Sequence, residues 1–247
     1  MDITIANVAL LLAAGIASGL VGYLAGLASL ISYPALLAVG LPPLAANVTN
    51  TLGLVGAGSG AALRAGHLVM ASGRKQAWQQ FAVSSGGGGL GATLLLLSGE
   101  EVFAAVVPWL IAFAAVMLLV SPRIKRLGGS TERWPLYLVV LFTICVYGGY
   151  FGAGAGVVYL AVVLILTQYE WPRAVLMKTI LLSVSNLTAS IIFIAFAPFD
   201  LLAAALMFVG NLIGGNAGPV VQRYIPERAS RLAIALGGFY LAWRLAR

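Results

Sequence analysis

The chain carries no charged side chain at residues 134–169, which read WPLYLVVLFTICVYGGYFGAGAGVVYLAVVLILTQY. About 20 apolar residues in a helix cross a lipid bilayer, so this stretch is long enough for more than one crossing. Further uncharged runs cover residues 3–63, 76–99, 102–122, 179–199 and 201–222. Together these runs predict an all-α polytopic membrane protein.

The overall composition points the same way. Of the 247 residues, 61% are hydrophobic and only 9% are charged, whereas soluble domains carry roughly 25% charged residues. A soluble enzyme is therefore strongly disfavoured. The net charge of +7 comes from basic residues in short loops, where it indicates membrane orientation rather than a nucleic-acid partner.

Residues that could build a catalytic or metal centre are scarce. Cys145 is the only cysteine and His67 is the only histidine. This excludes a disulfide framework, a cysteine metal centre and a pair of histidine ligands. No cofactor is predicted, and a membrane enzyme, which needs a nucleophile with a base or a metal, is disfavoured.

Glycine, proline and polar breaks divide the uncharged runs into ten helical pieces. Their predicted ranges are 3–24, 26–40, 43–64, 76–98, 101–121, 134–150, 153–168, 171–197, 200–222 and 228–245. The pieces 26–40 and 153–168 are short. Whether these two span the bilayer, break within it or re-enter stays open at this point.

Lysine and arginine concentrate in three loops, at residues 64–75, 123–133 and 223–231. The loops at Glu100-Glu101 and Asp200 carry acids and no bases. Because basic loops face the cytoplasm, we expect a multi-pass protein of the inner (plasma) membrane with both termini outside. Arg244 and Arg247 argue weakly against an external C-terminus.

The chain has a duplicated plan, since five pieces precede the central basic loop and five follow it. Three motifs recur at offsets of 127, 128 and 127 residues: Gly22-Tyr23-Leu24-Ala25 with Gly149-Tyr150-Phe151-Gly152, residues 43–51 with 171–179, and Gly87-x-x-x-Gly91 with Gly214-x-x-x-Gly218. An odd number of pieces per half predicts two inverted-topology repeats, 1–121 and 134–247, joined by a cytoplasmic linker at 122–133. Inverted repeats are typical of transporters that hold substrate near the midplane.

Several motifs follow one another in a characteristic order: a glycine-rich first helix, Gly40-Leu41-Pro42-Pro43, Ala46 with Thr51, the basic turn Arg64-x-Gly66-His67, and a Gly-x-x-x-Gly helix closing each half. Over roughly residues 8–245 this order resembles the TauE/SafE sulfite exporter family, also called the toluene sulfonate uptake permease family. The resemblance implies an exporter of sulfite, sulfonates or related organosulfur anions. The glycine cluster usual in that family is replaced by Leu27-Ala28-Ser29 in the first half.

Polar side chains concentrate at equivalent places of the two halves. The first group is Asn47, Asn50 and Thr51, and the second is Lys178, Thr179, Ser183 and Asn186. Residues three or four apart share a helix face. They therefore suit either a shared substrate site at the repeat interface or ordinary hydrogen bonding between helices.

Lys178 is the most informative of these residues. A lysine at the bilayer centre costs about 3 kcal/mol on insertion scales. Lys178 follows Trp171 by seven residues, which is about 10 Å along a helix. Two readings stay open: a ligand for an anion, or a side chain that extends to the cytoplasmic interface.

Glycines and two further amides complete the candidate site. Gly152, Gly154 and Gly156 alternate at a spacing that weakens a helix, and unwound backbone there can aim N–H groups at an anion. Asn211 and Asn216 flank a glycine pair in the ninth piece. These two amides either line the pathway or hydrogen-bond between helices.

The placement of the acids favours an anion as the substrate. All seven carboxylates lie in loops or at the ends of pieces, so a cation site or a proton relay has no acid inside the membrane. The sequence thus predicts a secondary transporter of a small organosulfur anion, partnered by the lipid bilayer, with an anion channel as the alternative. The exact substrate, the coupling ion and the oligomeric state stay open, and a homodimer is one option.

Overall fold

The computed structural model describes residues 4–69, 73–125, 133–222 and 224, and the elements in these ranges are helical. They are α1 (Ile5–Ala25), α2 (Ser29–Ala38), α3 (Pro43–Ala65), α4 (Arg74–Lys125), α5 (Trp134–Tyr150), α6 (Ala155–Leu166), α7 (Trp171–Phe196) and α8 (Leu201–Val221), with a 3-10 turn at Gly66–Leu68. The predicted all-α class is confirmed for these ranges. The tenth predicted piece, 228–245, lies outside the described residues.

The helices begin where the local chemistry satisfies their first N–H groups. The Thr4 hydroxyl accepts from the N–H of Asn7 at 3.1 Å, and the Asp200 carboxylate accepts from the N–H of Ala203 at 2.8 Å. Helices α3, α5 and α7 instead carry a proline in the first turn, where its missing N–H costs nothing. These signals explain why the predicted starts of these helices lie within two residues of the observed ones.

Helix α4 differs from the prediction of two separate pieces at 76–98 and 101–121. It is continuous over 52 residues except for a kink at Gly99, whose φ is 76° and ψ is 171°. Glu100 and Glu101 follow the kink, and both are exposed. The acids therefore mark a bend within one long helix rather than a loop between two.

Helices α2 and α6 are too short to cross a membrane. They contain 10 and 12 residues, which is about 15 and 18 Å against a hydrocarbon core of about 30 Å. Each follows a break at glycines with left-handed backbone, Gly26 in the first half and Gly152 with Gly154 in the second. Both helices are shorter than the predicted pieces 26–40 and 153–168, because the residues at the breaks are not helical.

The surface of the molecule is apolar and part of its interior is polar, which is the reverse of a soluble protein. Large exposed side chains include Leu97, Trp109, Ile191, Phe196 and Leu201. Buried polar side chains include Asn47, Thr49, Asn50, Lys178, Ser185 and Asn211. Within the described ranges, α1, the first part of α4, α7 and α8 are long and apolar enough to cross a bilayer, so the chain is a membrane protein.

Glycines bring the long helices into backbone contact, and they do so in corresponding places. A Cβ on Gly88 would overlap the carbonyl oxygen of Ser185, and a Cβ on Gly215 would overlap that of Ala57. These contacts join α4 to α7 and α8 to α3. The two glycines are 127 residues apart and their partners 128 apart, so the offset of the recurring motifs also relates these contacts.

We expect Gly88→Ala to destabilise the protein, by about 1–3 kcal/mol for an overpacked site. The neighbouring Gly89→Ala is the matched control, because its new Cβ would meet only the Thr188 methyl at 3.5 Å, an ordinary contact. Thermal unfolding in detergent should therefore show a lower Tm for Gly88→Ala and an unchanged or higher Tm for Gly89→Ala. Equal melting of both variants would contradict the close approach of α4 and α7.

Candidate functional site

A cavity lies between the two helix breaks and receives residues from both halves of the chain. It encloses about 560 Å³ of empty space, part of it open to solvent, within the range of ligand pockets. The lining residues are Gly22, Gly26, Ala28, Ser29, Thr51, Leu54, Ala57, Gly148, Phe151, Gly152, Ala155, Gly156, Lys178, Thr179, Leu182, Ser183 and Asn186. The site is therefore built by α1, α2 and α3 together with α5, α6 and α7.

The N-terminal ends of α2 and α6 meet at this cavity. Ala28 and Ser29 line it at the start of α2, and Ala155 and Gly156 line it at the start of α6. Neither start is capped by a side chain. The first N–H groups of a helix have no intrahelical acceptor and carry its positive partial charge, so both ends suit an anion.

The two breaks cross each other at Gly26 and Gly156. A Cβ on Gly26 would lie 2.5 Å from the Gly156 carbonyl carbon, and a Cβ on Gly156 would lie 2.5 Å from the Gly26 Cα. Gly26 also has a φ of 77°, a conformation that glycine adopts without steric cost. Only glycine at both positions allows the two helix starts to come together here.

Lys178 places a cation beside these helix starts. Its side chain is 1% exposed, and its Nζ donates to the carbonyl oxygens of Gly22, at 2.7 Å, and Tyr23. Among the described side chains it is the only buried charged one. The ammonium group therefore lies inside the protein and does not extend to the membrane interface.

These contacts also stabilise the end of α1. Gly22 and Tyr23 belong to the last turn of α1, where carbonyl groups lack helical partners and a cation is favourable. An ammonium group has three N–H bonds, and the described contacts use two of them. The third N–H of Lys178 is left for a ligand in the cavity.

The hydroxyl groups around the cavity are used differently from the sequence expectation. Thr51 and Thr179 each donate to the carbonyl four residues earlier, at 3.0 Å, and Ser183 donates to the carbonyl of Val55 at 2.9 Å. Their protons are therefore committed to backbone. A bound anion has Lys178 and the helix N–H groups as donors, with the amide of Asn186 on the lining.

Asn47 and Asn50 lie behind the cavity lining. Asn47 Nδ2 donates to the Tyr150 carbonyl at 3.0 Å, and Asn50 Nδ2 donates to the Ser29 hydroxyl at 3.1 Å. The Oδ1 atoms of both asparagines are buried without a hydrogen-bond partner among the described residues. Asn47 thus holds the end of α5, and Asn50 holds the start of α2.

Seven of the twelve residues predicted for the site line this cavity: Thr51, Gly152, Gly156, Lys178, Thr179, Ser183 and Asn186. Gly154 is instead the residue before α6, with a φ of 77°. Asn211 donates to Met207 within its own helix at 2.9 Å, and Asn216 donates across to Gly60 of α3 at 3.2 Å. The last two amides therefore serve the packing of α8 and are not among the lining residues.

Sequence reasoning missed Ser29 and the carbonyls of Gly22 and Tyr23. Ser29 replaces a glycine of the family pattern, and this departure was its only signal in the sequence. The two carbonyls carry no side-chain signal, because any residue offers the same oxygen. Within the described ranges no three His, Cys, Asp or Glu residues come together.

Comparison with known proteins gives one matching family. A family model described as sulfite exporter TauE/SafE matches residues 11–245. The match covers all the helices described above except the first residues of α1. No solved structure matches the chain.

Curated bacterial proteins are also similar over most of their length. A probable membrane transporter protein of Haemophilus influenzae is 27% identical, with 88% of this chain and 86% of the relative covered. The probable membrane transporter protein ORF9 of Sinorhizobium sp. is 27% identical, with 94% and 88% covered. The probable membrane transporter protein YfcA of Escherichia coli K12 is 25% identical, with 81% and 75% covered.

Proposed function

Because the chain belongs to the sulfite exporter TauE/SafE family, we propose that this membrane transporter carries small sulfur-containing anions such as sulfite and sulfonates. The observation that carries the proposal is the meeting of two uncapped helix N-termini and Lys178 at one cavity. Each of these groups presents positive charge and N–H donors. Oxyanions of sulfur offer several acceptor oxygens and no need for a basic partner.

The missing acids support the same chemistry. Glu100, Glu101, Glu170 and Asp200 all lie at a kink or beside a helix end. No described carboxylate is available in the cavity to bind a cation or to neutralise Lys178. An anion entering the cavity therefore supplies the charge that a buried lysine needs.

The apolar part of the lining bears on the size of the substrate. Leu54, Phe151 and Leu182 line the cavity beside the polar groups. The oxyanion head of a sulfonate would contact Lys178 and the helix starts, and its organic part would contact these three side chains. Sulfite would use only the polar end.

We further propose alternating access between two inverted repeats. The corresponding glycine contacts at Gly88 and Gly215 and the two broken hairpins around one cavity support this mechanism, in which the halves rock about the site. The basic loops would face the cytoplasm of the inner membrane and both termini would face outside. Export is the direction that the family description suggests.

Flux measurements in proteoliposomes test the function. A carrier loaded with unlabelled sulfite or sulfonate should take up the labelled anion by saturable counterflow, because substrate on one side drives exchange with the other. Flux that rises linearly with concentration and shows no counterflow would instead indicate a channel. Conversion of the labelled anion into a new product would indicate an enzyme.

Cysteine labelling tests the orientation separately from flux. Cys145 is buried, so it gives little background for a membrane-impermeant maleimide. We expect Lys75→Cys to react only after the membrane is opened and Glu100→Cys to react in intact cells. Both positions are exposed, and the reverse pattern would contradict the proposed orientation.

A further inference from the structure

A second and larger cavity, here called the basic vestibule, opens at the ends of α3, α7 and α8. It contains about 1770 Å³ of empty space including open solvent, and Arg64, His67, Arg173, Glu170, Trp171 and Tyr23 are among its lining residues. Two arginines and a histidine therefore face a single acid. The sequence alone interprets these bases as orientation signals for the membrane.

Arg173 has features that an orientation signal does not need. Its guanidinium carbon lies 4.7 Å from the centre of the Tyr169 ring. Its Nε and one terminal nitrogen are buried without a hydrogen-bond partner among the described residues. Glu170 is exposed, and no described salt bridge joins it to Arg173. The guanidinium is thus held in place by stacking while N–H groups suited to an oxyanion stay unused.

The basic vestibule is adjacent to the central cavity. Tyr23 lines the vestibule, while its carbonyl oxygen accepts from Lys178, whose Nζ lies 5.9 Å from the centre of the Tyr23 ring. Arg173 and Lys178 are five residues apart on α7, which is about 7.5 Å along the helix axis. Two cations therefore follow one another along α7, with Tyr23 between the spaces they line.

We propose that the basic vestibule is a second anion-binding site, with Arg173 as its principal ligand, which supplies anions to the central cavity past Tyr23. The site takes small oxyanions and other monovalent anions through charge and N–H donors. Its role in loading the central cavity rests on the proposed transport function, whereas its capacity to bind anions does not.

Quenching of Trp171 fluorescence tests anion binding without any transport. Trp171 lines the basic vestibule, and subtracting the signal of Trp171→Phe isolates its emission in purified protein. Iodide, an anionic quencher, should quench Trp171 several-fold less in Arg173→Gln, since one unit charge at contact distance in water changes the local anion concentration about fivefold. Acrylamide, a neutral quencher, should act equally on both proteins.

Arg74→Gln is the matched control, because it removes the same charge from an exposed residue that is not among those lining the vestibule. It should leave iodide quenching of Trp171 unchanged. Equal iodide quenching in wild type and in a folded Arg173→Gln protein would overturn the site. A parallel loss with iodide and acrylamide would also overturn it, because that pattern reports altered access instead of anion binding.

Flux measurements then separate the vestibule from the central cavity. Arg173→Gln should raise KM several-fold and leave the maximal rate nearly unchanged, because the high substrate concentration replaces capture. Normal quenching effects without any organosulfur flux would refute the proposed substrate and keep the vestibule site. Normal flux with an unchanged KM in Arg173→Gln would refute the loading role.

Discussion

Replacing Lys178 with methionine is expected to lower anion affinity at least tenfold. Methionine keeps most of the length of the side chain and removes the ammonium group. A hydrogen bond to a charged group contributes about 1.5–3 kcal/mol, and about 1.4 kcal/mol corresponds to a factor of ten. Affinity for sulfite or a sulfonate is measured by calorimetry on purified protein.

Two companion substitutions sharpen this prediction. Lys178→Arg should restore only part of the affinity, because the planar guanidinium needs a different geometry. Asn50→Ala should lose less than Lys178→Met, since Asn50 acts through Ser29. If both residues serve one ligand, the double variant will lose less than the sum of the two single losses.

Asn47→Ala separates the role of Lys178 in binding from its role in holding α1. Asn47 donates to the Tyr150 carbonyl as Lys178 donates to the Tyr23 carbonyl, and the two tyrosines are 127 residues apart. Both substitutions should lower the Tm, but only Lys178→Met removes charge from the cavity. Unchanged affinity in a folded Lys178→Met protein would leave Lys178 a purely structural role.

Most of the helical architecture could be predicted from the sequence because the membrane imposes simple rules. Uncharged runs mark helices, and prolines such as Pro43, Pro135 and Pro172 mark their starts. The predicted pieces at 134–150 and 171–197 differ from α5 and α7 by at most one residue at either end. The kink at Gly99 was read as a loop, because Gly99 with two adjacent acids resembles a turn when no tertiary contacts are known.

The site was harder to predict for a physical reason. Spacing on one helix tells which side chains share a face, but it does not tell which backbone lies opposite. Thr51 and Thr179 look like free donors in the sequence, yet their protons bind carbonyls of their own helices. The carbonyls that hold Lys178 come from α1, more than 150 residues away, and nothing in the side chains of Gly22 or Tyr23 indicates this.

The crossing of the two breaks gives the second large effect: Gly26→Ala is expected to disrupt folding or to abolish anion binding. Its Cβ would lie 2.5 Å from the Gly156 carbonyl carbon and 2.8 Å from the Val157 nitrogen. These are backbone atoms and cannot rotate away. The φ of 77° at Gly26 adds strain of about 1–3 kcal/mol for a residue with a side chain.

Gly40→Ala separates these two causes. Gly40 also has a positive φ, of 90°, but a Cβ there would meet nothing within 4 Å. Gly40→Ala should therefore show only the conformational strain, as a modest fall in Tm with anion affinity retained. Gly26→Ala should show a larger fall, and any folded fraction should bind the anion weakly, because the starts of α2 and α6 are pushed apart. If both variants melt alike and bind the anion alike, the close crossing of the two breaks does not determine the geometry of the site.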